Sequence, residues 1–228
     1  LVSQAAVKDE LEKDGGRDSP EYQIRVLGKF PDLLDEFLAS SRQADECYVG
    51  SSIFEEHSNF GYVITVDVGG GKGRDDSIIA VSKVWGEAQW GDRARRAEVV
   101  NIPLCKNRDN IDELYAVINE CINNYSNALL VVDDNGAGVG LGQKLKNNGI
   151  FYIPATWGGA CFNNENRKVY FNKRAQAYVC LTRAMAQGRF KIRTKRHSMK
   201  FKEQIVKVPY SFDEQSRYKI MSNDEMKR

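Results

Sequence analysis

The stretch Ala128-Leu129-Leu130-Val131-Val132-Asp133-Asp134-Asn135-Gly136-Ala137-Gly138 runs five apolar residues straight into two aspartates and a glycine-rich turn. A short apolar run bounded by turn residues reads as a strand buried on both faces of a sheet. A second stretch is built the same way. Tyr62-Val63-Ile64-Thr65-Val66-Asp67-Val68 is β-rich and opens into Gly69-Gly70-Gly71-Lys72-Gly73-Arg74-Asp75-Asp76. In both, a carboxylate sits where an apolar strand gives way to a loop.

Working outward, Ser77–Trp85 and Glu98–Pro103 read as two further strands. Residues 107–125 have helical spacing at Ile111, Leu114, Val117, Ile118, Cys121 and Ile122. A turn and helix around Gly140–Asn147 follow, then a short strand over Phe151–Pro154. A helix is expected over Asn172–Gln187, with Phe171, Ala175, Tyr178, Leu181 and Met185 on one side. Residues 31–57 read as helical and acidic, with Leu33, Leu34, Phe37 and Leu38 as a stripe. Residues 189–202 read as a strand pair or loop. Short links make the first three strands antiparallel neighbours, and helical crossovers make the last two parallel to the first. The expected fold is α/β, a mixed five-stranded sheet with helices on both faces. Its first and fourth strands lie side by side where the strand order reverses, and their carboxyl ends are the expected ligand site.

Burying an acid in a strand is costly unless it is paired or binds a metal. Neighbouring strands are about 4.8 Å apart, so Asp67 and Asp133 can share one hard cation. All-oxygen ligation favours Mg²⁺ or Mn²⁺ over zinc. The plainer alternative is that each acid caps its turn. Asp75 follows in the loop after Asp67 and is a further candidate ligand. Asp134 is another candidate ligand, although it alternates to the opposite side of its strand from Asp133, so one of the two is expected to face the site. The loop Gly69–Asp76 does not match a phosphate-binding loop, because a strand follows it rather than a helix. Its glycines, and Gly136 and Gly138, suit close backbone approach beside the acids; the helix after Gly138 could also meet a phosphate.

Composition bounds the rest. With 228 residues, 42% of them hydrophobic, the chain can bury one real core, and a net charge of +2 argues against intrinsic disorder. No apolar run approaches the roughly 20 residues of a bilayer span, and no leader pattern opens the chain. Five cysteines without a CxxC pair and two distant histidines, His57 and His197, make a Cys/His zinc site a poor fit. Free thiols in a reducing compartment are expected. The small net charge hides a strong asymmetry, because residues 167–228 carry 17 Lys/Arg against 5 Asp/Glu. From Arg167 to Lys202 there are 12 basic residues and no acidic one, which points to an anionic polymer as partner. Lys173 and Arg174, which open the expected helix, and Arg189, Lys191, Arg193, Lys195, Arg196, Lys200 and Lys202 would contact a phosphate backbone. Phe190 and Phe201 read as core.

Three stretches together resemble the nuclease domain of the large terminase subunit of tailed bacteriophages. They are Ser19-Pro20-Glu21-Tyr22 with Arg25-Val26-Leu27-Gly28-Lys29-Phe30-Pro31; Val66-Asp67-Val68-Gly69-Gly70-Gly71 with Asp75-Asp76-Ser77; and Val132-Asp133-Asp134-Asn135-Gly136-Ala137-Gly138 with Asn172-Lys173-Arg174-Ala175. The resemblance implies a ribonuclease H-like fold and a two-metal endonuclease, using Mg²⁺ or Mn²⁺, that cuts concatemeric double-stranded DNA. Asp67 and Asp133 match the family's first two catalytic acids. A third acid belongs to a later segment that is not found; Asp224 is a weak substitute, and the domain is expected to be cut short at its C-terminal end. Residues 1–58 would be a connector and helical segment after an ATPase domain lying upstream of Leu1, and residues 59–228 the nuclease. Implied partners are DNA, that ATPase domain, the terminase small subunit and the portal, with no membrane. The implied location is the host bacterial cytoplasm, at the procapsid. Two other readings compete: a DNA-gripping module with an incomplete metal site, and an ATP-binding domain of the actin and sugar-kinase group, which shares the Asp-x-Gly-Gly loop.

Overall fold

A computed structural model describes residues 37–52, 59–70, 75–86, 94–107 and 110–221. Six strands form the main sheet: β1 (Gly61–Asp67), β2 (Ser77–Trp85), β3 (Arg96–Lys106), β4 (Leu129–Val132), β5 (Ile153–Pro154) and β6 (Phe190–Ile192). Their spatial order is β5-β4-β1-β2-β3-β6. β1, β2 and β3 are antiparallel neighbours, and β4 and β5 run parallel to β1. This is the expected topology with one strand added, since β6 pairs parallel to the far edge of β3. The added strand comes from Arg189-Phe190-Lys191-Ile192-Arg193, whose period-2 alternation is legible once the charges are read as the outer face. A separate hairpin, β7 (Tyr210–Phe212) with β8 (Tyr218–Ile220), lies outside the main sheet.

The helices are α1 (Ser41–Glu46), α2 (Ile111–Asn124), α3 (Val139–Asn147), α4 (Lys173–Ala186) and α5 (Ser198–Ile205). Each expected helix from α2 to α4 is present. α2 starts where Asn110 accepts hydrogen bonds from the amides of Asp112 and Glu113, whose charges also suit the positive end of the helix. Two expectations change. Of residues 31–57, the described part holds only the six-residue α1, fixed by a Ser40/Gln43 capping box. After β6 the basic run forms α5 rather than a second strand. It begins at His197 in the left-handed region (φ 64°) with no side-chain cap, so no start signal marks it in the sequence.

Two cores hold these elements. In the first, Ile64, Val66, Ile79, Val81, Leu104, Leu130 and Val132 on one sheet face pack against Leu114, Ile118 and Cys121 of α2 and Leu141 and Leu145 of α3. Each such side chain contributes about 1.5–3 kcal/mol when fully buried. β4 is covered on this face alone: Leu129 remains 42% exposed, so the strand is not buried on both sides. In the second core, α4 packs with α1, α5, β6 and the β7–β8 hairpin around Ala44, Cys47, Val179, Met185, Ile192, Ile205 and Tyr218. Residues 37–48 thus pack into the same body as α4 and β6, through bridges from Phe37 to Pro209 and Tyr48 to Ile192. Phe190 and Phe201 pack against this core, ring to ring at 6.4 Å. All five cysteines are free. Among the described residues no helix is long and apolar enough to cross a membrane.

Candidate functional site

β1 and β4 are paired in parallel with Val66 beside Val132, so Asp67 and Asp133 leave the sheet next to each other. The Asp133 amide continues the ladder by donating to the Val66 carbonyl at 2.9 Å. Side chains alternate along a strand, which puts both acids on the face opposite Val66 and Val132. Asp67 is open to solvent at its tip but lies low among protein atoms. Its carboxyl is held above the ordinary carboxylate pKa by burial first, then by the charges of Asp133 and Asp75. No cation is among the groups that set it.

The loops beside these acids need glycine for a steric reason. A Cβ on Gly69 would collide with the Asp75 carbonyl, and one on Gly138 with the Asp133 carbonyl. Gly69 is further fixed by donating its amide to the buried Ser77 hydroxyl at 2.9 Å, which brings Asp75 and Asp76 back over the end of β1. Asp76 accepts from the Lys200 ammonium of α5 and from the Cys105 thiol at 3.8 Å. That hydrogen bond to Asp76 is the main reason Lys200 is held above the ordinary lysine pKa.

Asn135 organises the other acid, and sequence reasoning gave it no role. Its amide and its Nδ2 donate to Asp133 Oδ1 at 3.2 and 3.0 Å, and Nδ2 also donates to the Ala155 carbonyl at 3.0 Å. The available signal was the Asp-Asp-Asn order, since an aspartate commonly accepts from the amide two residues on. Asp134 is turned away from Asp133 and accepts from the Tyr152 hydroxyl at 3.0 Å, beside Gly142. Asp224 lies outside the described residues.

The basic residues divide. Lys173 and Arg174 open α4, where their amides donate to the carbonyls of Gly159 and Trp157, both at 2.9 Å. Several others reach protein groups. Lys200 binds Asp76, and Lys202 binds Asp45 at 2.7 Å. Arg193 lies 3.5 Å from the fully buried Glu98, which also accepts from Ser52 at 2.8 Å. Lys191 donates to the Glu46 carbonyl at 2.7 Å, and Arg189 to the Arg95 carbonyl at 2.9 Å. Lys195 and Arg196 stay exposed in the turn before α5. The charge run that looked like one phosphate-binding surface therefore serves in good part to tie α1, β3 and the β2 loop to the second core.

An all-oxygen donor set, two adjacent carboxylates and a third acid close enough to raise Asp67 fit a hard divalent cation, which would offset the repulsion that now disfavours ionisation. Among the described residues, no group of three or more His, Cys, Asp or Glu converges on one point.

A mixed sheet of this order, with carboxylates at the ends of the paired first and fourth strands, is the ribonuclease H-like fold. The chain is 27% identical over 232 residues to the "Probable terminase, large subunit" of Enterobacteria phage P7. The likeness takes in 100% of this chain and 45% of that relative, so the chain spans less than half of it. No protein-family model matches. Among solved structures, the fold resembles the nuclease domain of the large terminase subunit gp2 of bacterial virus Sf6, with TM-score 0.60 and 16% identity over 84% of this chain and 90% of that one. One point variant of that domain resembles this chain similarly: with calcium, TM-score 0.61 at 16% identity, and with manganese, 0.58 at 15%, each over 84% of this chain and 90% of the other. The resemblance to phage large terminase subunits read from the sequence holds in both comparisons.

Proposed function

We propose that this chain is the metal-dependent endonuclease domain of a phage DNA-packaging terminase, cleaving concatemeric double-stranded DNA by phosphodiester hydrolysis. The observation that carries this reading is the placement of Asp67 and Asp133 side by side at the strand-order reversal of a ribonuclease H-like sheet. The solved Sf6 nuclease structures with manganese and with calcium support a divalent ion, Mg²⁺ or Mn²⁺, as the group to be held.

Asp67 and Asp133 are the residues that would hold it, as two ions in the mechanism the family resemblance implies. When bound, the metal supplies Lewis-acid stabilisation of the charge that builds on phosphate oxygens during hydrolysis. The chain's own part is positioning. Asn135 fixes Asp133 Oδ1, Ser77 and Gly69 fold the Asp75–Asp76 loop over the end of β1, and Lys200 compensates Asp76. Lys173, Arg174, Lys195 and Arg196 would neutralise backbone phosphates without reading sequence.

In this reading residues 59–228 are the nuclease and residues 1–58 the connector and helical segment, of which residues 37–48 pack against the nuclease. The upstream ATPase domain, the small subunit, the portal and a place at the procapsid in the host cytoplasm follow from the same reading. A second reading, a DNA-gripping module with an incomplete site, is favoured by one observation: no third converging acid occurs among the described residues.

The test is plasmid nicking at low salt with Mg²⁺ or Mn²⁺, comparing the parent chain with Asp67→Asn. Nicking that needs the metal and disappears in the variant is expected. Equal cleavage by both would overturn the assignment. DNA bound by both and cut by neither would establish the gripping module instead.

A further inference from the structure

The loop from Ala155 to Phe162 follows β5 and is hydrogen-bonded both to Asn135 beside the acids and to α4, so its backbone is held at both ends. Ala155 is fixed by Val132 and Asn135, Trp157 and Gly159 by the first amides of α4, and the Phe162 amide by the buried Gln176 side chain at 3.0 Å. Cys161, next to Phe162, is buried and donates its thiol to the Tyr170 carbonyl at 3.4 Å. Yet the Phe162 side chain is 71% exposed, with the Lys173 ammonium 5.0 Å from its ring centroid. Phe171, two residues before Lys173, is 48% exposed and carries Arg217 at 5.3 Å and Lys219 at 5.8 Å over its ring. Arg217 is neutralised by Asp213 at 2.7 Å, which leaves Lys219 as the cation offered there. Trp157, in the same loop, is 39% exposed.

One exposed aromatic is ordinary. Two phenyl rings, each paired with a cation, one on the loop tied through Asn135 to Asp133 and one at the entry to α4, are what a nucleic-acid strand needs: a flat face for a base and a positive charge for its phosphate. A duplex keeps its bases stacked inside, so such rings reward a strand whose bases are splayed out. The basic run, by contrast, is largely engaged with the protein itself.

We propose that Phe162 with Lys173, and Phe171 with Lys219, form a stacking grip for an unpaired DNA strand beside the Asp67–Asp133 pair. The proposal rests on the reading of the chain as a DNA-cutting domain and adds that the strand near the acids is held unstacked. The test is fluorescence anisotropy of the full chain, in EDTA, with a labelled oligothymidine 20-mer and with a duplex of equal length. Phe162→Ala should bind the oligothymidine roughly tenfold more weakly and the duplex unchanged, with an unaltered salt slope, and Phe162→Trp should restore binding. Lys173→Ala should flatten the salt slope by about 0.7 for the single strand. Unchanged melting temperature of Phe162→Ala shows that the fold is kept. Parental binding of oligothymidine by Phe162→Ala overturns the grip, as does an equal loss on both probes. The nuclease reading is scored separately, by the nicking of parent and Asp67→Asn, so either can fail while the other stands.

Discussion

Along β1 and β4 the two faces of the sheet lead opposite lives. Ile64, Val66, Leu130 and Val132 are sealed under α2 and α3, whereas Thr65, Asp67 and Leu129, one residue out of step with them, stay open to solvent. The contrast is sharpest at Asp133 and Asp134, adjacent in sequence and on different sides: one is held by Asn135 for the open face, the other by Tyr152 toward the helices. A period of two turns one short segment into both a stability element and a chemical one. The sealed face gives the open face a rigid floor, which is what two like charges kept close together need.

The largest expected break in this comparison is Asp133→Asn. Losing a carboxylate proposed to hold the metal should cost several kcal/mol of transition-state stabilisation, or roughly a thousandfold in nicking rate, while thermal melting stays near the parent. A comparable rate in the variant would remove Asp133 from the chemistry. Ile118→Ala does the reverse. Emptying a fully buried site under the sheet should lower stability by about 3 kcal/mol in a urea titration. Nicking per folded molecule should persist, and a small stability change would mean that the closed face collapses more easily than its packing suggests.

Asn135→Ala separates orientation from ligation. It removes the side-chain bonds to Asp133 and Ala155 without removing charge, so the Mn²⁺ concentration for half-maximal nicking should rise roughly tenfold to a hundredfold, with the maximal rate much less affected. Asp134→Asn should leave nicking intact and weaken the Tyr152 bond, a loss of about 1 kcal/mol in the same urea titration.

An equally small effect lies outside the main sheet, at the β7–β8 turn. Arg217's hydrogen bond holds the Asp213 carboxyl below its ordinary pKa. A depressed folded pKa stabilises above the unfolded value and is lost as pH falls through the folded one. Asp213→Asn should therefore cost about 1 kcal/mol at pH 7. The gap from the parent should close as the pH drops below about 4. A gap independent of pH would assign the bond's value to geometry rather than charge.

Much of the sheet was legible because its signals are local. The run Ala128–Val132, the helical spacing of Ile111–Ile122 and the short links of the first three strands each specify an element, and connection rules then leave few topologies. The side-by-side placement of the two acids was legible as well, since a carboxylate at the end of an apolar strand stands out whatever surrounds it. Both glycine readings gain a concrete cause in the carbonyls of Asp75 and Asp133, which leave no room for a Cβ.

What tertiary structure alone decided is the pairing of groups distant in sequence. Lys200 meets Asp76, Lys202 meets Asp45 and Arg193 meets Glu98 only because the second core brings α5, α1 and β3 together. A count of charges along the chain sees twelve basic residues without an acid among them and cannot see the acids folded against them. The pairing of β6 with β3 and the helix α5 were hidden for the same reason, as both lie in that charged run and take their apolar faces from a core assembled elsewhere. The exposed ring of Phe171 likewise reads in the sequence as part of a helix's apolar side, and nothing in the sequence marks Phe162. Only the fold, by fixing their backbone and leaving their side chains uncovered, turns them toward solvent. Local periodicity and strand ends were thus fixed by the residues themselves, because short-range sterics and burial act on neighbours. Charge partners and exposed faces were fixed by packing, because they depend on what the fold brings close.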